Sequence, residues 1–127
     1  MEFTVSAFIP AAPDDLFDAW LDSRGHREMT GSPARASAEP GAEFEAWDGY
    51  IRGRNVLLER PGRIVQSWRT SNFDASDPDS QIDVLFEKRS GGTQVTIHHT
   101  ALPDHGSRYE TGWPEHYFKP MQSYFSR

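Results

Sequence analysis

The sequence predicts an α+β fold: a curved antiparallel sheet of about six to seven strands, two short helices after the first strand, and a long C-terminal helix across the sheet. Three observations lead there. From Ala34 to Leu102 the chain is a succession of short β-patterned runs separated by Gly- or Pro-containing turns. Ahead of them, one strand-like run is followed by two short helical segments. Behind them lies GWPEHYFKPMQSYF, a helically spaced stretch crowded with aromatic rings. A sheet of that size must bury an apolar face, and the terminal segment is the one element large enough to cover it.

The first run, Glu2 to Ile9, sets Phe3, Val5, Ala7 and Ile9 against polar or small neighbours, the period of a half-buried strand. The prolines at 10 and 13 break it. Pro13 suits a first helical turn, Asp14 and Asp15 suit its positive end, and Leu16, Phe17, Trp20 and Leu21 form an apolar stripe. Ser23 is the expected cap of a second helix that runs to about Met29 and ends at Gly31 and Pro33.

Strands are then expected at Ala34–Ala38, Glu43–Trp47, Tyr50–Glu59, Arg63–Thr70, Gln81–Lys88 and Thr93–Ala101. Pro40-Gly41, Asp48-Gly49, Pro61-Gly62 and Ser90-Gly91-Gly92 separate them, and such short connections imply an antiparallel meander. Gly53 inside a strand marks a bulge or a close backbone approach, and after it Val56, Leu57 and Leu58 lose the alternation. In the last helix Tyr109, Trp113, His116, Tyr117, Pro120, Met121 and Tyr124 project to one side. Pro120 removes a hydrogen bond to residue 116 and should bend the helix, while Pro114 marks a restart after Gly112.

Composition narrows the function. At 127 residues the chain is expected to form one domain, 1–127. Without cysteine there is no disulfide framework, thiolate metal site or thiol nucleophile. A net charge of −6 argues against binding to nucleic acid, whose affinity comes from clustered basic residues. No apolar run approaches the ~18 residues of a membrane span. The N-terminus alternates like a strand and lacks a basic leader segment, so a cytoplasmic protein is expected.

The run FEAWDGYIRGRNVLLERPGRIVQSWRT, followed by HHTALP and then GW…HYF, resembles the family of activators of the ninety-kilodalton heat-shock chaperone's ATPase. The ordered set Phe44, Asp48-Gly49, Gly53, Pro61, Ile64-Val65 and Trp68-Arg69 carries the likeness, with MTGSPA at Met29–Ala34 ahead of it. The resemblance implies the helix-grip superfamily (START-like, SRPBCC), in which cavities between sheet and helix recur. The eukaryotic co-chaperone that names the family has a separate N-terminal domain making much of the chaperone contact. This chain resembles only the C-terminal domain, so the resemblance alone does not carry chaperone activation.

Alternation sorts the candidate site residues. Gln66 and Trp68 share the phase of Ile64; Val84 and Phe86 that of Ile82; Val95 and His99 that of Ile97. These sets should face the helix, where Trp113, His116, Tyr117 and Met121 meet them. One reading makes this an apolar pocket in which Trp68, Val84, Phe86, Val95, Ile97, Trp113, Tyr117 and Met121 supply contacts. Gln66, His99 and His116 then orient polar atoms. The other reading is a solid core, with His99 bonded to a backbone carbonyl or a helix tyrosine. The resemblance favours the pocket, and with it a small hydrophobic or aromatic ligand bound without a cofactor.

Two alternatives stand beside it. The first is a co-chaperone-like interaction module that docks a chaperone through Arg52, Arg54 and Arg69. The bland account of that arginine row is a solvated face paired with Glu43, Glu45 and Glu59. The second is a small-molecule cyclase or hydrolase with His99 and Tyr117 moving protons, although no GxSxG elbow exists and no residue is assigned a catalytic role. No metal site is expected, because His98 and His99 point to opposite faces of a strand. The acidic stretch Asp74–Asp83 lacks the glycine and closing glutamate of a calcium loop. The protein is expected to be a monomer or a homodimer.

Overall fold

The computed structural model describes all 127 residues. One six-stranded antiparallel sheet runs in the order β1-β6-β5-β4-β3-β2. Its strands are β1 (Phe3–Ile9), β2 (Glu43–Ala46), β3 (Ile51–Glu59), β4 (Arg63–Thr70), β5 (Ser80–Arg89) and β6 (Gly92–Thr100). Helices α1 (Pro13–Trp20) and α2 (Ser23–Thr30) follow β1. The C-terminal helix comes in three parts: α3 (Arg108–Trp113), a π-turn (Pro114–Phe118) and α4 (Lys119–Phe125).

The inward phase read from sequence is the buried phase of the sheet. Ile64, Gln66 and Trp68 of β4, Ile82, Val84 and Phe86 of β5, and Val95, Ile97 and His99 of β6 are all buried. On the helical side Leu16, Phe17, Trp20, Tyr109, Trp113, Tyr117, Phe118 and Met121 close over them. Rings interlock across this layer: Trp20 stacks on Trp113 at 6.2 Å, and Phe17 meets Phe86 edge-on at 6.2 Å. Full burial of each such apolar side chain is worth roughly 1.5–3 kcal/mol, which makes this layer the main source of stability.

Three expectations change, and one open alternative is decided. The strand expected at Ala34–Ala38 is a single bridge, Arg35 with Glu45. The next backbone groups are taken by side chains instead: Ala36 N–H donates to Ser23 Oγ, and the Ser37 and Glu39 carbonyls accept from Asn55 Nδ2. The cap of α2 is Asp22, which accepts from Gly25 N–H at 2.8 Å, because Ser23 is already committed to Ala36. Of the two readings of Gly53, the close backbone approach holds. A Cβ there would lie 1.8 Å from Ser67 O, and the register shift comes later, between Asn55 and Leu57. That shift turns Val56 outward, 57% exposed, and leaves Leu58 half-buried.

The third change concerns the bend at Pro120. A proline ring collides with the carbonyl four residues back, and the helix answers by widening before it. Lys119 N–H bonds to Pro114 O, five residues back, and the π-turn spans Pro114–Phe118. The extra residue resets the helix phase. Phe118 becomes buried, and His116, placed by projection on the inner side, stands exposed.

Candidate functional site

Most of the predicted pocket is filled. Val84, Phe86, Val95, Ile97 and Met121 are at most 4% exposed and pack directly against helical side chains. The polar members have protein partners. Gln66 Oε1 accepts from Trp20 Nε1 at 3.1 Å, and Gln66 Nε2 donates to Asn55 Oδ1 at 2.9 Å. Asn55 Nδ2 then donates to the Ser37 and Glu39 carbonyls, so the relay ends on backbone.

His99 is held the same way. Trp113 Nε1 donates to its Nδ1 at 3.0 Å, so the proton of the neutral ring sits on Nε2 and is donated to Ser80 Oγ at 2.9 Å. Ser80 in turn donates to Trp68 O. Burial lowers the His99 pKa to about 3. A second histidine, His26 of α2, was not singled out in the sequence. Its Nδ1 can only donate to the Trp20 carbonyl at 2.8 Å, so Nε2 accepts from the Tyr117 hydroxyl at 2.7 Å. Burial lowers the His26 pKa to about 4, against the opposing effect of the Trp20 carbonyl, and raises that of Tyr117. His99 and Tyr117 are therefore each engaged elsewhere and share no hydrogen bond.

Open space lies to one side of this core. A cleft of about 430 Å³ lies between the C-terminal helix and the β2–β3 turn. Trp47 and Tyr50 from the turn, Ile51 of β3 and Trp68 of β4 form one side. Arg108, Tyr109, Gly112, Trp113, His116 and Tyr117 from the helix form the other. Of the residues proposed from sequence, Trp68, Trp113, His116 and Tyr117 meet here. Gln66, Val84, Phe86, Val95, Ile97, His99 and Met121 lie away from its wall. Gly112 matters because its missing side chain leaves room; a Cβ there would meet nothing within 4 Å.

The turn is the least expected wall. Turns favour small polar residues, yet WDGY puts two large rings in one. Trp47 and Asp48 adopt left-handed backbone at φ +52° and +57°, followed by Gly49 at +85°. For a bulky residue that conformation costs about 1–2 kcal/mol and persists only where its surroundings enforce it. Here they do: Asp48 N–H bonds Pro33 O, Ser71 N–H bonds Tyr50 O, and Asn72 Nδ2 donates to the Tyr50 hydroxyl at 2.7 Å. Trp47 packs edge-on against His116 at 5.1 Å. Its indole Nε1 is shielded from solvent and is the one buried side-chain polar atom without a hydrogen-bond partner. Aromatic content in a turn was the signal by which sequence reading could have reached Trp47 and Tyr50.

The proposed arginine surface is largely self-satisfied. Arg54 pairs with Glu43 at 2.6 Å, and Arg69 with Asp79 at 2.8 Å and with two loop carbonyls. Arg52 is exposed and sits in register with Glu45 on one side and Arg69 on the other. In the acidic loop Asp74, Asp77 and His105 place possible ligand atoms within 4.8 Å of one another. Asp77 is already engaged there, accepting from Asp74 N–H and bonded to His105. No helix is long and apolar enough to cross a membrane.

Residues 10–126 match the family described as activator of Hsp90 ATPase homolog 1-like protein. The chain belongs to that family. A Dictyostelium discoideum activator of 90 kDa heat shock protein ATPase homolog is 29% identical over 117 residues, covering 91% of this chain and 30% of that protein. The chain spans about a third of the length of the curated relatives it matches. Among solved structures, an HSP90 activator from Plasmodium falciparum superposes with a TM-score of 0.85 at 22% identity, covering 97% of this chain and 94% of that one. The Aha1 dimer from Colwellia psychrerythraea gives 0.81 at 14% identity, with 98% and 96% covered. At these identities the structures establish the helix-grip fold of this Hsp90-activator-like chain. The second of them is a dimer.

Proposed function

We propose that this Hsp90-activator-like chain binds a small, flat, hydrophobic molecule in the cleft between the β2–β3 turn and the C-terminal helix. The observation that carries the reading is the combination of open volume and unmet chemistry in one place. The polar groups of the core (Gln66, His99, His26 and Tyr117) are bonded within the chain, whereas Nε1 of Trp47, a residue of the cleft wall, is buried without a partner. A volume near 430 Å³ lies within the roughly 300–1,000 Å³ usual for small-molecule sites, and the wall is mostly aromatic with few polar groups. Aromatic faces on both sides favour a ring system over a flexible chain.

The test uses a neutral fluorescent probe, N-phenyl-1-naphthylamine, titrated against the wild-type chain and Gly112→Leu. Leucine fits the helix and projects into the cleft without a backbone clash. Saturable enhancement in the wild type, lost in Gly112→Leu at a melting temperature no lower than that of the wild type, is expected. Equal enhancement in both proteins would remove the cleft as the site.

A second reading, a co-chaperone role at a 90-kDa heat-shock chaperone, is supported by family membership and by the name of the Dictyostelium relative. Arg52 is the member of the arginine row without a carboxylate partner, and so the contact most open to an acidic partner surface. Salt-sensitive co-sedimentation with the chaperone, lost in Arg52→Glu, is the expected result. Retention by Arg52→Glu would exclude this face.

A further inference from the structure

Resting on the cleft reading, we propose that the ligand is an aromatic acid: a flat ring system bearing a carboxylate that accepts from Trp47 Nε1 and lies against Arg108. Three observations converge on the charge. First, the unmet buried group on a residue of the cleft wall, Trp47 Nε1, is a donor, so the partner it lacks is an acceptor, which a purely hydrocarbon guest could not supply. Second, the cleft wall contains Arg108 and His116 but no Asp or Glu, in a chain with nineteen acidic residues.

Third, Arg108 is free. Seven other arginines, at 24, 35, 54, 60, 63, 69 and 89, stand within ion-pair distance of a carboxylate, and Arg108 does not. An acidic surface with an unpaired guanidinium at the rim of its most aromatic cleft has a local sign opposite to its net charge. A guanidinium is also suited to a planar carboxylate, which it can grip with two parallel N–H bonds. Trp68 and Trp113, with ring centres 5.6 Å apart, provide the apolar floor for the ring system.

The occupied polar groups sharpen the assignment. The Tyr117 hydroxyl is committed to His26 and the Tyr109 hydroxyl to Thr70, so neither competes for the ligand's acceptor. The indole of Trp113 is committed to His99. Among the groups of the wall this leaves the indoles of Trp47 and Trp68, the His116 ring and the guanidinium of Arg108 uncommitted, and of these Arg108 is the one with a permanent charge.

The experiment measures displacement of N-phenyl-1-naphthylamine by two isosteric competitors, 2-naphthoate and 2-naphthalenemethanol, in the wild type, Arg108→Gln and Trp47→Phe. The proposal expects naphthoate to bind at least about tenfold more tightly than the alcohol, the size of one charge-assisted hydrogen bond partly exposed to water. Arg108→Gln should remove that preference while leaving the alcohol unchanged. Trp47→Phe should weaken both, since each presents an oxygen. Equal affinity for the two compounds in the wild type overturns the acid assignment and leaves the cleft reading standing. An unchanged naphthoate preference in Arg108→Gln overturns it as well. Failure of both compounds to displace the probe, or of the probe to bind at all, overturns the proposal together with the reading it rests on.

Discussion

The indole N–H of Trp113 donates to Nδ1 of His99 across the sheet–helix boundary at 3.0 Å. That bond decides more than packing. It fixes the imidazole tautomer, directs the Nε2 proton to Ser80, and locks the helix to β5 and β6 through one relay. It also explains why a histidine on an apolar sheet face is not available to a ligand.

Breaking that relay should be expensive. Trp113→Phe keeps a ring but leaves His99 Nδ1 buried without a donor, a loss of about 1–3 kcal/mol. Urea denaturation should show it as a lower midpoint at unchanged slope. In the wild type, imidazole nitrogen chemical shifts should report His99 as the Nε2–H tautomer.

Acid should unfold the protein earlier than its carboxylates require. His26 and His99 are held near pKa 4 and 3 by burial, below the ordinary 6.5 that they regain on unfolding. The unfolded chain therefore binds more protons below pH 6.5, so their stabilisation is complete above that value and falls as pH drops toward 4. Each histidine should contribute a slope of about 1.4 kcal/mol per pH unit in that window. Denaturation measured from pH 7 to 4.5 should show it, and His26→Asn should reduce the slope by about half. A flat profile above pH 5 would mean that both rings are reached by water.

The Tyr117 hydroxyl is structural in this account, and its ring is what faces the cleft. Tyr117→Phe should cost about 1–3 kcal/mol, because His26 Nε2 loses its buried donor. Probe affinity should change less than about twofold, a difference of under half a kcal/mol. A large loss of affinity without a loss of stability would instead give the hydroxyl a role toward the ligand, and would revive a proton-transfer reading.

Two glycines should respond with opposite signs. A Cβ at Gly53 would stand 1.8 Å from Ser67 O, so Gly53→Ala must move backbone and should destabilise strongly, by more than about 3 kcal/mol. Gly112 lies in a helix with nothing near its missing Cβ, so Gly112→Ala should stabilise by about 0.5–1 kcal/mol. Thermal melts of the two variants check both.

Much of the fold was legible because period and turn chemistry act locally. The buried phase of β4, β5 and β6 and the aromatic inner side of the helix could be read residue by residue. The edge of the sheet could not, because Asn55 and Ser23 compete for the 34–38 backbone from distant positions. Nor could the π-turn, whose added residue moved His116 outward and Phe118 inward. The cleft was half legible. Trp68, Trp113 and Tyr117 followed from alternation and helical projection, while His116 borders the cleft from an exposed position that projection did not give; Gln66 and His99 were read as ligand groups only because their partners, Asn55, Trp20, Ser80 and Trp113, were unseen. Trp47 and Tyr50 escaped because a turn offers no periodicity to read.

The most direct test of the cleft follows the four indole N–H resonances in a proton–nitrogen correlation spectrum during addition of 2-naphthoate. Trp47 should show the largest downfield shift as its proton gains an acceptor, while Trp20, bonded to Gln66 within the core, stays in place. If the Trp47 resonance does not move at millimolar naphthoate, or moves no more than that of Trp20, the cleft does not hold the ligand.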